Sequence, residues 1–414
     1  MLNISNIKRQ LYLHILLPFH QWCYTKRLKY KKRINVVFFA MSRAMWRYQH
    51  LYELMSKHPR FNVTIIIQPF NDWPDTQKEE NILELQQFFK SRSMPYMSGT
   101  KSDGCYMNVT EELAPDILFY PQPYNGYYPP ELSFDKFRYK LLCYYPYAFW
   151  RSVNEWSYNT EFHKIAWKLF YSTQLHKEDA KEICCNKGRN VEIVGYPNAD
   201  DFLFREHKDV WKQQSIRKKR IIWAPHFTIN KGGWLEQSNF LWMAELMIRI
   251  AKKYSDKIQI AFKPHPHLFR ELCGHKVWGE TKTREYYELW ANMKNTQLET
   301  GDFVDLFMTS DAMIHDSGSF CIEYHYTGNP AMYIADNFEE QVAEMAKFGQ
   351  LAMRQHYVGR TEQDIIDFIE KNVIGNNDPM KKERMQFVQE YLIPPNGKTV
   401  AQNTMDIFLK ELDR

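Results

Sequence analysis

Two strand ends decide how this chain is read: Ile258-Gln259-Ile260-Ala261-Phe262-Lys263-Pro264-His265-Pro266-His267, and Ser310-Asp311-Ala312-Met313-Ile314-His315-Asp316-Ser317-Gly318-Ser319-Phe320. The first opens with a short apolar run, reads as a buried strand and delivers a lysine and two histidines at its carboxyl end. In the second, residues 312–315 make a short strand, and Ser317-Gly318-Ser319 is the turn into a helix that runs to about Thr327. Gly328 and Pro330 stop that helix, and residues 331–334 begin another strand. Strands alternating with helices in this way predict an α/β fold with a parallel sheet, and such sheets bind ligands at the carboxyl ends of their strands.

The first turn of a helix leaves backbone N–H groups without partners and carries the positive end of the dipole, so an anion is favoured there. Ser317-Gly318-Ser319 is therefore either a phosphate cradle or a plain helix cap. His265 can donate to a phosphate oxygen or protonate a leaving group, and the flanking prolines fix its backbone. His226 follows the strand Ile221-Ile222-Trp223-Ala224 and faces the same edge if that sheet is parallel. Glu323, one turn into the helix, is placed either to accept from ribose hydroxyls or to serve as an ordinary helix carboxylate.

Four segments carry a resemblance: Lys263-Pro264-His265-Pro266, Gly301-Asp302-Phe303-Val304-Asp305-Leu306-Phe307, the 310–320 stretch, and Gly328-Asn329-Pro330-Ala331-Met332. In order and spacing they resemble the C-terminal half of the CDP-glycerol glycerophosphotransferase family, over roughly residues 190–335 and more weakly across the N-terminal half. The resemblance implies a GT-B scaffold of two Rossmann-like, doubly wound domains with a cleft between them and a C-terminal helix crossing back. It implies that a His-Pro motif and an Asp-X-Ser-Ser-type motif grip the donor pyrophosphate. On this chain those positions are Lys263, His265, Asp316, Ser317, Gly318 and Ser319, with His226 and Glu323 beside them. The implied reaction moves glycerol phosphate, or a related alditol phosphate, from its CDP ester to a hydroxyl of a cell-surface glycan or teichoic-acid-like acceptor, releasing CMP. A GT-B glycosyltransferase using a nucleotide sugar for capsule synthesis is the alternative, and a non-catalytic glycan-binding subunit a third reading.

With 414 residues the chain is too long for one ordinary core, and 44% hydrophobic with 25% charged residues describes a folded protein rather than a disordered one. The domain expectation is a basic N-terminal segment (1–32), an acceptor domain (33–200), a linker (201–218), a donor-nucleotide domain (219–378) and C-terminal helices returning to the first domain (379–414). Seven cysteines without a Cys-X-X-Cys pair imply a reducing compartment and no zinc site. No Gly-X-Gly-X-X-Gly follows the first strand, which argues against a nicotinamide or flavin cofactor, and no cofactor or nucleic-acid partner is expected.

The net charge is only +5, but Lys8, Arg9, Lys26, Arg27, Lys29, Lys31, Lys32 and Arg33 all precede the first acidic residue, Glu53. Residues 11–19 are apolar yet far short of the roughly 20 that span a bilayer. With Tyr12, Phe19, Trp22 and Tyr24 this leader is either an interfacial helix on an anionic membrane or a helix packed on the protein's own core. The first option places the protein in the cytoplasm, peripheral on the inner face of the cell membrane.

Residues 34–40 read as the first strand of the N-terminal domain, 41–57 as its helix and 61–68 as the second strand. Arg43 and Arg47 then fall at a helix start, where they meet an anionic acceptor or are simply solvated. The strand ending at Tyr144 delivers Tyr145-Pro146-Tyr147. In better-known members of the family a His-Gly pair stands near this point as general base. Here tyrosines replace it, so the base is His163 on pKa grounds or Tyr147 on position, with Tyr145 alongside for the acceptor. Gly232-Gly233 are read as a turn, 361–372 as a helix, and Asn396-Gly397-Lys398-Thr399 as the cap of a last helix, 400–412.

Overall fold

The computed structural model describes residues 4–229, 237–318 and 320–412; the Gly232-Gly233 turn and Ser319 lie outside them. The chain forms two units. One takes the chain up to Asp200 and again from Ile393, and the other is Asp201–Leu392.

The first unit is built on a seven-stranded sheet: β1 (Ile34–Ala40), β2 (Phe61–Ile67), β3 (Tyr96–Ser98), β4 (Ile117–Phe119), β5 (Leu141–Tyr144), β6 (Lys168–Tyr171) and β7 (Val191–Ile193). Their order is β3-β2-β1-β4-β5-β6-β7, every neighbour parallel. β1 is central because helices cover both its faces, so Val36 to Ala40 are all apolar and buried. The chain reverses its direction of growth between β1 and β4, the switch point of a doubly wound sheet.

The second unit repeats the plan with β8 (Lys219–Ala224), β9 (Ile258–Phe262), β10 (Thr296–Leu298), β11 (Ala312–His315), β12 (Ala331–Ile334) and β13 (Tyr357–Gly359). The order is β10-β9-β8-β11-β12-β13, again all parallel. Helix Phe240–Lys253 turns Met243, Met247 and Ile250 inward at helical spacing, and Trp223 stacks on Phe240 and Phe262 at 5.7 and 4.9 Å. Trp223 lies opposite Phe262, and Ala224 opposite His315. β8, β9 and β11 therefore end level, and their following loops share one edge.

The last helix, Val400–Leu412, belongs to the first unit. Thr399 caps it through the Gln402 N–H at 3.1 Å, and Asp200 receives the Val400 and Ala401 N–H groups at 2.6 and 3.0 Å. A carboxylate is favoured there by the helix dipole. Gly195 passes this helix with φ +101°, where an added Cβ would stand 2.9 Å from Val400 Cγ2.

Three expectations are corrected. Residues 379–392 stay with the second unit, because Arg384 is fully buried and donates to the Gly328 carbonyl at 3.2 Å and to Asp378. The leader is no separate segment: Leu13, Leu17 and Leu28 are buried on the first unit, and Arg189 donates to the Leu13 carbonyl at 2.5 Å. Residues 41–57 are not one helix. Arg43–Met45 is a 3₁₀ turn and the helix begins at Gln49, so Arg43 and Arg47 sit in the connection.

Candidate functional site

The loops after β8, β9 and β11 come together in the second unit. The His265 N–H donates to the Pro225 carbonyl at 3.0 Å and the Lys263 N–H to the Trp223 carbonyl at 2.8 Å, which stitches the β9 exit to the β8 exit. The imidazoles of His226 and His265 stand 5.0 Å apart by ring centre, and Phe227 packs 4.5 Å from each. Nδ1 of His265 accepts the His267 N–H at 3.2 Å, and Nδ1 of His226 the Thr228 N–H at 3.4 Å. The neutral His265 ring therefore carries its proton on Nε2, the form that donates to an anion, while Nδ1 of His226 also lies 2.9 Å from the Thr228 hydroxyl, a contact that either tautomer makes.

Burial pushes the His265 pKa down to about 3, with the neighbouring His226 and His267 adding to the fall. Lys263 is buried with its ammonium turned to the Gly301 carbonyl at 2.7 Å, and desolvation lowers its pKa to about 8. It ties β9 to the Gly301 loop rather than standing open to a donor.

Asp316 departs from the expected donor contact. It is 1% exposed, and its two oxygens accept the backbone N–H groups of His226, at 2.6 Å, and Asn239. Desolvation raises its pKa to about 7 against the pull of those donors. Asp316 thus positions the His226 loop and the start of helix Phe240–Lys253. Ser317 is buried, with its carbonyl 3.2 Å from His315 Nδ1, and Gly318 accepts from Cys321 Sγ at 2.9 Å. The helix after them is shorter than expected: Phe320–Glu323 is α-helical and Tyr324–Thr327 a 3₁₀ turn, capped by Gly328 at φ +68°. Glu323 is buried, 4% exposed, rather than presented to solvent.

The first-unit candidates divide. His163 is fully buried in the core, its Nδ1 2.7 Å from the Thr160 hydroxyl at a helix start, and burial pushes its pKa down to about 3. A base with neither access nor affinity for a proton near neutrality cannot serve, so His163 is structural. Tyr145 is likewise buried, hydrogen-bonded to Thr404 of the last helix, and does not meet an acceptor. Tyr147 is partly exposed, and the Arg47 guanidinium donates to its carbonyl at 2.9 Å. Burial raises its phenol, chiefly, and Arg47 offsets this only in part, so position favours Tyr147 as a base while its pKa does not. Arg43 lies 5.5 Å over the Phe88 ring and 3.9 Å from Glu84.

Sequence reasoning missed Phe227, which spaces the imidazoles, and Asn239, which Asp316 holds; adjacency to His226 was the only signal for the first. No group of three or more His, Cys, Asp or Glu side chains among the described residues is arranged to hold a metal ion.

Two doubly wound units, the second with histidine loops at its switch point, define a two-domain GT-B protein of the nucleotide-donor class. The chain belongs to the CDP-glycerol:poly(glycerophosphate) glycerophosphotransferase family, whose model matches residues 148–406. It is accordingly a glycerophosphotransferase, and CDP-glycerol is its donor. No curated protein sequence matches the chain. Similar solved structures include a UDP-N-acetylglucosamine 2-epimerase, with TM-score 0.59, 14% identity, and 92% of this chain and 98% of that one covered. The UDP-N-acetylglucosamine 2-epimerase of Neisseria meningitidis bound to its UDP-sugar gives TM-score 0.55 at 15% identity, covering 91% and 100%. The wall teichoic acid polymerase TagF gives TM-score 0.56 at 12% identity, covering 100% and 98%. At these identities the likeness concerns the fold.

Proposed function

We propose that the protein extends a membrane-borne, teichoic-acid-like acceptor with glycerol phosphate, the second unit binding CDP-glycerol and the first the acceptor. The observation that carries this reading is the pair of imidazoles held 5.0 Å apart, that of His265 with its ring proton on Nε2. Two such rings suit the oxygens of one diphosphate, and the Ser317–Gly318 turn beside them supplies small residues for close approach. The acceptor hydroxyl attacks the phosphorus that bears glycerol, the bond to the bridging oxygen breaks, and CMP leaves with the charge that His265 and His226 stabilise. With His163 buried and the Tyr147 phenol raised, a non-bridging phosphate oxygen takes the hydroxyl proton, which a loose transition state permits.

Two further observations support the acceptor side. Trp156 is 71% exposed and stands 5.9 Å from the Tyr124 ring, an apolar platform for a sugar face. Along the leader, Ile7, Leu11, Ile15, Phe19 and Trp22 are 47–63% exposed at helical spacing, on the side opposite buried Leu13 and Leu17. Such a stripe with a basic flank suits attachment to the inner face of an anionic membrane, although no helix among the described residues is long and apolar enough to cross one.

The test is CMP release from CDP-glycerol with a glycerol-phosphate-primed acceptor, set against UDP release from UDP-sugars. Release of UDP but not CMP would overturn the reading. Phe19→Ser with Trp22→Ser should lower binding to anionic vesicles while leaving turnover of a soluble acceptor in place.

A further inference from the structure

At the end of helix Leu17–Leu28 a pocket of about 390 Å³ is lined by Tyr24, Arg27, Leu28, Tyr30, Lys31 and Asp116. It is remote in sequence from every donor-site loop, and it follows directly on the exposed Phe19 and Trp22. Its floor is Asp116, buried at 4% exposure, whose oxygens are already engaged: Tyr24 Oη donates at 3.0 Å, the Asn35 N–H at 2.8 Å, and Lys31 forms an ion pair. Around this single carboxylate stand three cations. Lys31 faces Asp116, Lys140 Nζ donates to Tyr24 Oη at 3.2 Å and lies 5.4 Å over that ring, and Arg27 lies 5.9 Å over it. Among the described residues, three positive groups against one negative leave an excess of two. The same excess is felt by its neighbours, since after desolvation Arg27 and Lys140 are the next causes that lower the His20 pKa. Helix-end carbonyls do not offset it: Arg60 takes those of Leu28 at 3.2 Å, of Leu412 at 3.4 Å, and of Lys31.

We propose that this pocket holds the phosphate headgroup of an anionic phospholipid and so fixes the first unit on the membrane. The site lies where a headgroup would be if the stripe Ile7 to Trp22 enters the acyl boundary, because Arg27 comes little more than one turn after Trp22 and Lys31 just past the end of the same helix. Tyr30, 91% exposed, is the interfacial aromatic at its rim. The inference rests on the membrane reading above and adds to it a defined site in place of diffuse attraction.

The experiment uses the full chain, co-sedimented with vesicles of phosphatidylcholine alone or containing phosphatidylglycerol. Arg27→Gln with Lys140→Gln removes two charges at the pocket, and Lys26→Gln with Lys32→Gln removes two exposed charges outside it. The pocket pair should lose about 10-fold more affinity for the anionic vesicles than the control pair, with unchanged melting temperatures; diffuse attraction alone would weaken both alike. Equal losses overturn the pocket while leaving membrane attachment intact. Failure of the wild-type chain to bind either vesicle overturns attachment and pocket together. Glycerol phosphate, tested without vesicles at ionic strength matched by sodium chloride, separates the other source: one-to-one binding in solution, with vesicle binding indifferent to the pocket pair, overturns the lipid occupant.

Discussion

His265 combines partial exposure, a ring proton on Nε2 and a pKa pushed down to about 3, so it is a neutral donor across the working pH range. His265→Ala should lower kcat/KM for CDP-glycerol by about 10²-fold or more, since removing one charge-stabilising donor costs about 3 kcal/mol. Because the ring does not titrate near neutrality, the variant's pH profile should keep the wild-type shape at reduced height; near-normal turnover by purified protein would sink the assignment. His163 gives the opposite expectation. His163→Ala removes a buried ring and its bond to Thr160, and should cost stability, about 1–3 kcal/mol by urea denaturation, with kcat of the folded fraction largely retained. Loss of kcat without loss of stability would restore it to the chemistry.

Among the elements, the segment carrying Arg384 and the last helix are each secured by one buried charge. Arg384 is 0% exposed and its partner Asp378 lies in the same unit, so Arg384→Ala leaves a carboxylate without its counter-charge. A loss of about 3–5 kcal/mol is expected, readable as a shift of the urea midpoint. Asp200→Ala strips the acceptor from the Val400 and Ala401 N–H groups and should cost about 1–2 kcal/mol, with an unchanged midpoint arguing that Thr399 alone suffices as cap.

For the whole molecule, burial sets how stability varies with pH. It lowers His163 and His265 to about 3, His176 to about 4, and His325 well below its ordinary value. Unfolded, these groups take up protons below about 6.5, while folded they do not until far lower. The unfolded state thus binds more protons between about 3 and 6.5, and stability is lost as pH falls through that window. Asp316 acts the other way: raised to about 7, it holds its proton in the fold where the unfolded carboxyl has ionised, a contribution lost as pH rises from about 4 to 7. His20 and His267 are lowered as well and Asp179 is raised, so the lowered histidines outnumber the raised carboxyls; Tm should rise between about pH 5 and 7, and a flat or falling Tm by calorimetry would contradict the balance.

Much of this was legible in sequence because it is local. The strands Ile34–Ala40, Ile258–Phe262, Ala312–His315 and Ala331–Ile334 announce themselves as short apolar runs between breakers, and loops following such strands in a parallel sheet must share an edge. His265 and His226 follow from that rule alone. The three-residue strands β3, β4, β7, β10 and β13 are too short for periodicity to mark securely, and of the leader's two options the structure shows packing on the protein's own core, through Leu13, Leu17 and Leu28, with Phe19 and Trp22 left exposed. Burial could not be read locally. Whether His163, Tyr145, Asp316 or Glu323 meets a substrate or fills a core depends on which distant chain covers it: Thr404 comes from 259 positions away to reach Tyr145, and Asn239 and His226 from 77 and 90 to reach Asp316. Residue type supplies the proton chemistry, but solvent access and charge compensation, which decide whether that chemistry is used, exist only once the sheet has brought those segments together.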